Sequence, residues 1–254
     1  MSSTRLPGKS LADVAGRPLI QRVVDRVRRA QFVDDVFVLT SDEPSDDPLA
    51  AWCEEHDVPV RRGPLHDVLA RYLALLDELR PDYLVRVTGD CPFVEPAFVD
   101  RQLEALARFD GDACWVARRD IEGVLGGQTA LSARILRQIA TSDDPRDREH
   151  VGSFYLRGHR DSVRFVELIV PDAYACQNLR LQVDEASDLE FVREVYGSID
   201  AATRSVVEIL DWLERRGERT NAHVEESVDN QAIRRMDRNM GVETVGTWRL
   251  EPGS

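Results

Sequence analysis

Tyr83-Leu84-Val85-Arg86-Val87-Thr88-Gly89-Asp90-Cys91-Pro92 is an apolar run of strand length that stops at a small, polar turn, which predicts a buried β-strand with its carboxyl end opening into a loop. Before it, Leu65 to Leu79 reads as a long helix with Val68, Leu69, Tyr72, Leu75 and Leu76 turned inward. Further back come a strand at Val58 to Arg61, a helix over 48 to 56, a strand at Val36 to Leu39, and an amphipathic helix from Pro18 to near Arg29. After it come a helix over 96 to 108, a strand at Ala113 to Ala117, a Gly-rich loop at 123 to 127 and a helix from Ala133. Glu149-His150 opens another helix, Val163 to Val170 and Leu179 to Val183 read as strands, and the second runs directly into Asp184. Helices from Ser187 and over Val206 to Leu213 follow, and in the polar tail only Val242 to Trp248 suggests a strand. Strands alternating with helices at this spacing predict an α/β fold: a three-layer, mostly parallel sheet covered on both faces. Ligands of such sheets bind beyond the carboxyl ends of the strands, where Thr88 to Pro92 and Asp184 lie.

Composition narrows the function. The chain has 254 residues, a formal net charge of −13 and a pI near 4.9, a balance that opposes nonspecific binding to nucleic acid or to an anionic membrane. There is neither an apolar run long enough to span a bilayer nor an apolar N-terminal signal region, so the expectation is a cytoplasmic protein. Cys53, Cys91, Cys114 and Cys176 are too scattered for a zinc site or a disulfide scaffold and read as reduced thiols. The excess acid is spread along the chain, as adaptation to high salt would produce; the arginine bias of a GC-rich genome competes with that explanation.

Ser2-Ser3-Thr4-Arg5-Leu6-Pro7-Gly8-Lys9-Ser10 holds the only lysine; every other one of the 33 Lys and Arg residues is arginine. A chain so biased keeps a lysine most readily where a compact ammonium is needed. Pro7-Gly8 makes a tight turn whose backbone N–H groups can approach an anion, and with Arg5 beside it the stretch reads as a phosphate cradle. Asp90 and Asp184, each at a strand end, add two acids. Alone, either is an ordinary loop former. Together the basic turn and the two acids fit nucleotidyl transfer, which needs cations against a triphosphate and oxygen ligands for an octahedral magnesium.

The sequence resembles the cytidylyltransferases of the spore-coat polysaccharide biosynthesis protein F type, relatives of the acylneuraminate and 3-deoxy-manno-octulosonate cytidylyltransferases. The resemblance rests on Ser3-Thr4-Arg5-Leu6-Pro7-Gly8-Lys9, Arg62-Gly63, Asp67-Val68-Leu69, Arg71-Tyr72, Val85 to Pro92, Arg148-Glu149-His150-Val151, and Asn178-Leu179-Arg180 leading to Val183-Asp184. It implies a nucleotide-diphospho-sugar transferase (Rossmann-like) fold and transfer of CMP from CTP to a sugar, usually an acidic one, with release of pyrophosphate, in making surface polysaccharide or glycan. By that likeness Arg5 and Lys9 are the catalytic residues, and Ser3, Arg5, Gly8, Lys9, Arg86 and Thr88 bind the nucleotide. Asp90 and Asp184 hold Mg2+, and His150 lies near the sugar. Arg62, Asp67 and Arg71 position loops. Residues 1–213 are then the nucleotidyltransferase domain and 214–254 a polar C-terminal extension. CTP and a sugar are the expected partners, with a homodimer as the assembly to test.

The sequence departs from this pattern twice. An apolar strand ending in Gln-Ala-Arg usually precedes the Ser-Thr-Arg stretch, and here Met1 stands in its place, so the first strand is absent from the sequence and two neighbouring strands are expected to have unpaired inner edges. The loop Gly126-Gly127-Gln128-Thr129-Ala130 is neutral where relatives often carry acids. Two other function classes fit in part: a glycosyltransferase using a nucleotide-sugar donor, which would typically carry an Asp-x-Asp pair where this chain has Asp90-Cys91-Pro92, and a catalytically inactive, truncated binding protein.

Overall fold

The computed structural model describes residues 5–116, 120–176, 179–217 and 243–250; Ser3, Ala117, Asn178, Val242 and most of the tail, which carry expectations above, lie outside them. A short hairpin, β1 (Asp13–Val14) and β2 (Arg17–Pro18), leads into α1 (Leu19–Val27). Pro18 caps this helix with φ −58°, a value its ring imposes and a helix start requires. β3 (Val38–Ser41), α2 (Asp47–Glu55) and β4 (Val60–Gly63) form one β-α-β unit with a parallel strand pair. α3 (Val68–Leu79) starts where the Asp67 carboxylate accepts from the Ala70 N–H, and leads to β5 (Tyr83–Val87).

The second half is built on α4 (Pro96–Phe109), β6 (Ala113–Trp115), α5 (Glu122–Leu125), β7 (Gln128–Ser132), α6 (Ala133–Ile139), α7 (Pro145–His150), α8 (Ser153–Gly158), β8 (Phe165–Ile169), α9 (Ala186–Ser198), α10 (Val206–Arg216) and β9 (Thr244–Arg249). The sheet order is β5-β7-β6-β8-β9. β6, β8 and β9 run parallel, and β7 runs antiparallel to both β5 and β6. Alternation along the strands sends Leu131 and Phe165 to a core with α3 and α6, and Ala130, Val166 and Leu168 to a core with α4, α9 and α10. These are the three layers expected, with one antiparallel strand inserted.

Four expectations are corrected. The strands at Val36 to Leu39 and Val58 to Arg61 lie two residues later, because their pairing register runs from Val38↔Val60 to Ser41↔Gly63. The Gly-rich loop is instead α5 followed by β7: Gln128 to Ser132 looks too polar for a buried strand, yet all five residues find ladder partners along β5. Leu179 to Val183 is not a strand. It pairs with no described strand, and its N–H groups turn to other carbonyls, Leu181 N to Gly123 O at 2.8 Å and Val183 N to Asp90 O at 2.8 Å. His150 ends α7 instead of opening a helix, because Val151 adopts φ 53° and stops the turn.

No described helix is long and apolar enough to cross a membrane, and the four cysteines are free thiols. The tail strand β9 docks beside β8 at the far edge of the sheet, and not between β3 and β5. Among the described residues β3 pairs only with β4, and β5 pairs only with β7. Between their facing edges runs a slot of about 830 Å³ lined by β3, β5, α1, α3 and α4. Two of the three exposed large apolar residues among the described residues, Phe32 and Leu79, lie along it.

Candidate active site

The Pro7-Gly8 turn places Gly8 at φ 75°, a left-handed value that glycine adopts without strain, and the chain then closes one 3₁₀ turn over Lys9–Leu11. That turn aims Lys9 across the carboxyl end of β5. Its Nζ donates to Asp90 Oδ2 at 2.8 Å, to the Val183 carbonyl at 2.7 Å and to Asp184 Oδ1 at 3.3 Å. Arg5 reaches the same Asp184 oxygen at 3.0 Å from a half-exposed position. The basic turn and both acids therefore meet at one point, although 175 residues separate Lys9 from Asp184. The Val183 N–H to Asp90 carbonyl bond ties the two acid-bearing loops directly to each other.

Burial would raise the Asp90 carboxyl, but the Lys9 charge, aided by hydrogen bonds from Lys9, Thr88 and Cys91, outweighs it and holds the group below the usual carboxylate range. Cys91 is pushed the other way. Burial, reinforced by the Asp90 charge, keeps its thiol protonated at neutral pH, so it is no thiolate nucleophile. The thiol lies 2.9 Å from Thr88 Oγ1, and the Thr88 N–H donates to Gly127 O at 2.9 Å.

Arg86 extends from β5 on the α3 side, close enough to Tyr72 and Cys91 for its charge to bear on both. Among the described residues it forms no hydrogen bond or ion pair, so its guanidinium is free for a ligand. His150 is placed elsewhere, at the end of α7 with its ring tilted against Phe154 at 6.4 Å. It is not among the groups gathered around Lys9. Arg148 ties its helix to α3 through Asp67 at 2.5 Å, Arg62 donates to the Ser41 and Glu43 carbonyls, and Arg71 to those of Leu39 and Leu65. These arginines hold loops in place. Among the described residues no group of three or more His, Cys, Asp or Glu converges in a way that could hold a metal; Asp90 and Asp184 are the two carboxylates that the Lys9 ammonium brings together.

Sequence reasoning gave no role to Arg180 and overlooked Asp188. Arg180 donates to Asp184 Oδ2 at 2.8 Å and to Asp188 Oδ2 at 3.0 Å. The same Asp188 oxygen accepts from the N–H groups of Asp184 and Glu185 at 2.8 and 2.9 Å, closing a capping box at the start of α9. Asp184 is thus held by one oxygen while the other faces Lys9. The acid three residues after Glu185 was the available signal. Arg180→Gln should raise the metal concentration needed for half-maximal activity by about tenfold, since a charge-assisted bond that orients a ligand is worth roughly 1.5–3 kcal/mol, whereas Arg180→Lys should lose less. A metal titration unchanged in Arg180→Gln would remove the brace.

Gly127 was also missed. It sits at φ +78°, where an added Cβ would lie 2.6 Å from both Cys91 Sγ and Thr88 Oγ1. Gly127→Ala should therefore cost about 1–3 kcal/mol of stability from overpacking, with strain at positive φ adding to it. Chemical denaturation would measure this; a midpoint within error of the parent would show that the turn can relax.

A cytidylyltransferase family model matches residues 1–134. The spore coat polysaccharide biosynthesis protein SpsF of Bacillus subtilis is 31% identical over 202 residues, which cover 77% of this chain and 82% of that protein. A 3-deoxy-manno-octulosonate cytidylyltransferase of Geotalea uraniireducens is 37% identical over 110 residues, 42% of this chain and 41% of its own length. The solved structure of a cytidylyltransferase from Leptospira borgpetersenii superposes with a TM-score of 0.79 at 23% identity, covering 89% of this chain and 95% of the other.

Proposed function

The chain belongs to the cytidylyltransferase family, and from that premise we propose how it moves CMP from CTP to a sugar, with an acidic sugar as acceptor and surface polysaccharide as the destination. The observation that carries this reading is the convergence of Arg5, Lys9, Asp90 and Asp184 at the carboxyl end of β5. In the reaction a sugar hydroxyl attacks the α-phosphorus in line and gives up its proton to solvent, the bond from that phosphorus to the bridging oxygen breaks, and pyrophosphate leaves with the electron pair. Lys9 and Arg5 neutralise the charge that builds on the phosphates, and the rate arises from positioning and electrostatics without a covalent enzyme intermediate.

The donor set fits a magnesium ion. Asp90 and Asp184 present hard oxygen ligands to one shared cation position, now taken by the Lys9 ammonium, and phosphate oxygens and water suit the remaining octahedral positions. Asp90 and Asp184 would hold the ion, and the ion would supply electrostatic stabilisation of the phosphates. Arg86, without a hydrogen bond or ion pair among the described residues, and Thr88 line the nucleotide side together with Gly8; Ser3 belongs to the same stretch. His150 lies apart from this cluster, at the end of α7 against Phe154, and its role toward the sugar rests on the family likeness alone. The cytoplasm, where CTP is made, is the place of action.

The test is a panel of the four nucleoside triphosphates against acidic and neutral sugars, following pyrophosphate release and the mass of the product. CMP-sugar formed only with CTP and an acidic sugar supports the reading. Release with another nucleotide, or a product without CMP, overturns it.

A further inference from the structure

The Lys9 ammonium has three N–H groups, and the protein uses all three, on Asp90 Oδ2, the Val183 carbonyl and Asp184 Oδ1. Its side chain is only 15% exposed. A lysine waiting for phosphate in solvent would look different. Asp184 is satisfied further: Arg5 shares Oδ1, and Arg180 takes Oδ2 at 2.8 Å. The two carboxylates are therefore fully matched by positive charge from the chain itself.

A divalent cation of the magnesium type binds oxygen at about 2.0–2.1 Å. To touch Asp90 Oδ2 and Asp184 Oδ1 together it must lie between them, in the space Lys9 Nζ now fills. The ammonium and the metal cannot share that space: their contact would be shorter than van der Waals distance, and like charges repel. Building on the reading of Asp90 and Asp184 as metal ligands, we propose that Lys9 is the resting occupant of the metal position, an internal cation that holds the site shut to divalent ions until a nucleotide triphosphate draws it away.

The triphosphate is a denser anion than either carboxylate, and the half-exposed Arg5 beside the same Asp184 oxygen is open to it. The unbranched four-carbon stem of lysine lets Nζ swing by rotamer changes without moving the turn. Once Lys9 turns to phosphate, the carboxylates are left short of positive charge and the metal position opens. Nucleotide and metal then bind with positive coupling, and Lys9 carries the coupling.

The experiment is an Mn2+ titration followed by the loss of the free-ion electron paramagnetic resonance signal, on full-length protein. The parent, Lys9→Met and Lys9→Met/Asp184→Asn are each measured with and without a CTP analogue carrying a methylene in place of the α,β-bridging oxygen. Without nucleotide, Lys9→Met should bind Mn2+ on the order of tenfold more tightly than the parent, a size typical of coupled sites. The analogue should tighten binding in the parent and much less in Lys9→Met, and the double variant should lose the gain. Equal Mn2+ affinity of parent and Lys9→Met, with binding still lost in the double variant, overturns the proposal and leaves the metal site standing. No Mn2+ binding in any variant, with or without the analogue, overturns the metal-site reading and the proposal with it.

Discussion

Lys9→Ala should lower kcat by about a hundredfold or more while the protein stays folded, because losing one preorganised cation at a developing charge costs on the order of 3 kcal/mol. Lys9 lies on a single 3₁₀ turn outside the apolar clusters, so its loss opens no core cavity. The charge it leaves uncovered on Asp184 is still met by Arg5 and Arg180, and Asp90 loses its main counter-charge. The folded-state carboxyl of Asp90 is depressed, so its contribution to stability is present above the unfolded carboxylate value, about 3.9, and is lost as the pH falls through the folded one. In Lys9→Ala burial acts with less opposition, the carboxyl titrates higher, and that loss begins at a higher pH. Steady-state kinetics and carboxyl ¹³C NMR would read the two effects. A parental kcat would remove Lys9 from the mechanism, and an Asp90 titration that did not move would show that the ammonium is not its main partner.

Extending the chain at residue 1 by a short segment rich in Val and Ile should raise the melting temperature by on the order of 10 °C and raise turnover with it. Among the described residues the slot between β3 and β5 has unpaired strand edges on both sides, with apolar helix faces above and below: Val23 and Val27 of α1 with Leu103 of α4, and Tyr72 and Leu75 of α3. A strand covered on both faces needs a near-continuous apolar run, not an alternating one. About five residues would span the edge. Each new ladder bond is worth about 0.5–1.5 kcal/mol net, and apolar burial adds about 25 cal/mol per Å². A total near 5 kcal/mol is comparable to the whole stability of an ordinary domain, and in a chain of this size each kcal/mol moves the midpoint by about 2–4 °C.

The segment can enter from residue 1 because the loop that follows is already at the right end of the slot: Gly89 lines the opening, and Lys9 is bonded to Asp90 beside it. A strand there would also fix the start of the Arg5 to Lys9 turn, which links stability to catalysis. The comparison is made against an equally long Ser- and Glu-containing extension, by calorimetry and by pyrophosphate release. Equal midpoints for the two extensions would show that the slot does not take a strand.

The sequence alone determined the alternation of strands and helices, because periodicity and turn residues act locally. Tyr83 to Val87 and the helix at 96 are where the pattern puts them, and the lone lysine beside Pro7-Gly8 marked, through composition, the turn that meets Asp90 and Asp184. Asp90 alone reads as an ordinary loop former; it was legible only in combination with the basic turn and the second acid, Asp184. What only the tertiary structure decided depends on partners distant in sequence. Gln128 to Ser132 is a strand because β5 offers it a free ladder; on its own pattern it is a polar loop. Leu179 to Val183 has a strand's composition but no edge to join, so its backbone binds Gly123 and Asp90 instead. The place of Asp184 beside Asp90, the Arg180 and Asp188 brace behind it, and the three bonds that seat Lys9 between the acids follow from those contacts. No local pattern encodes them, because a hydrogen bond between loops appears only once the sheet has brought their ends together.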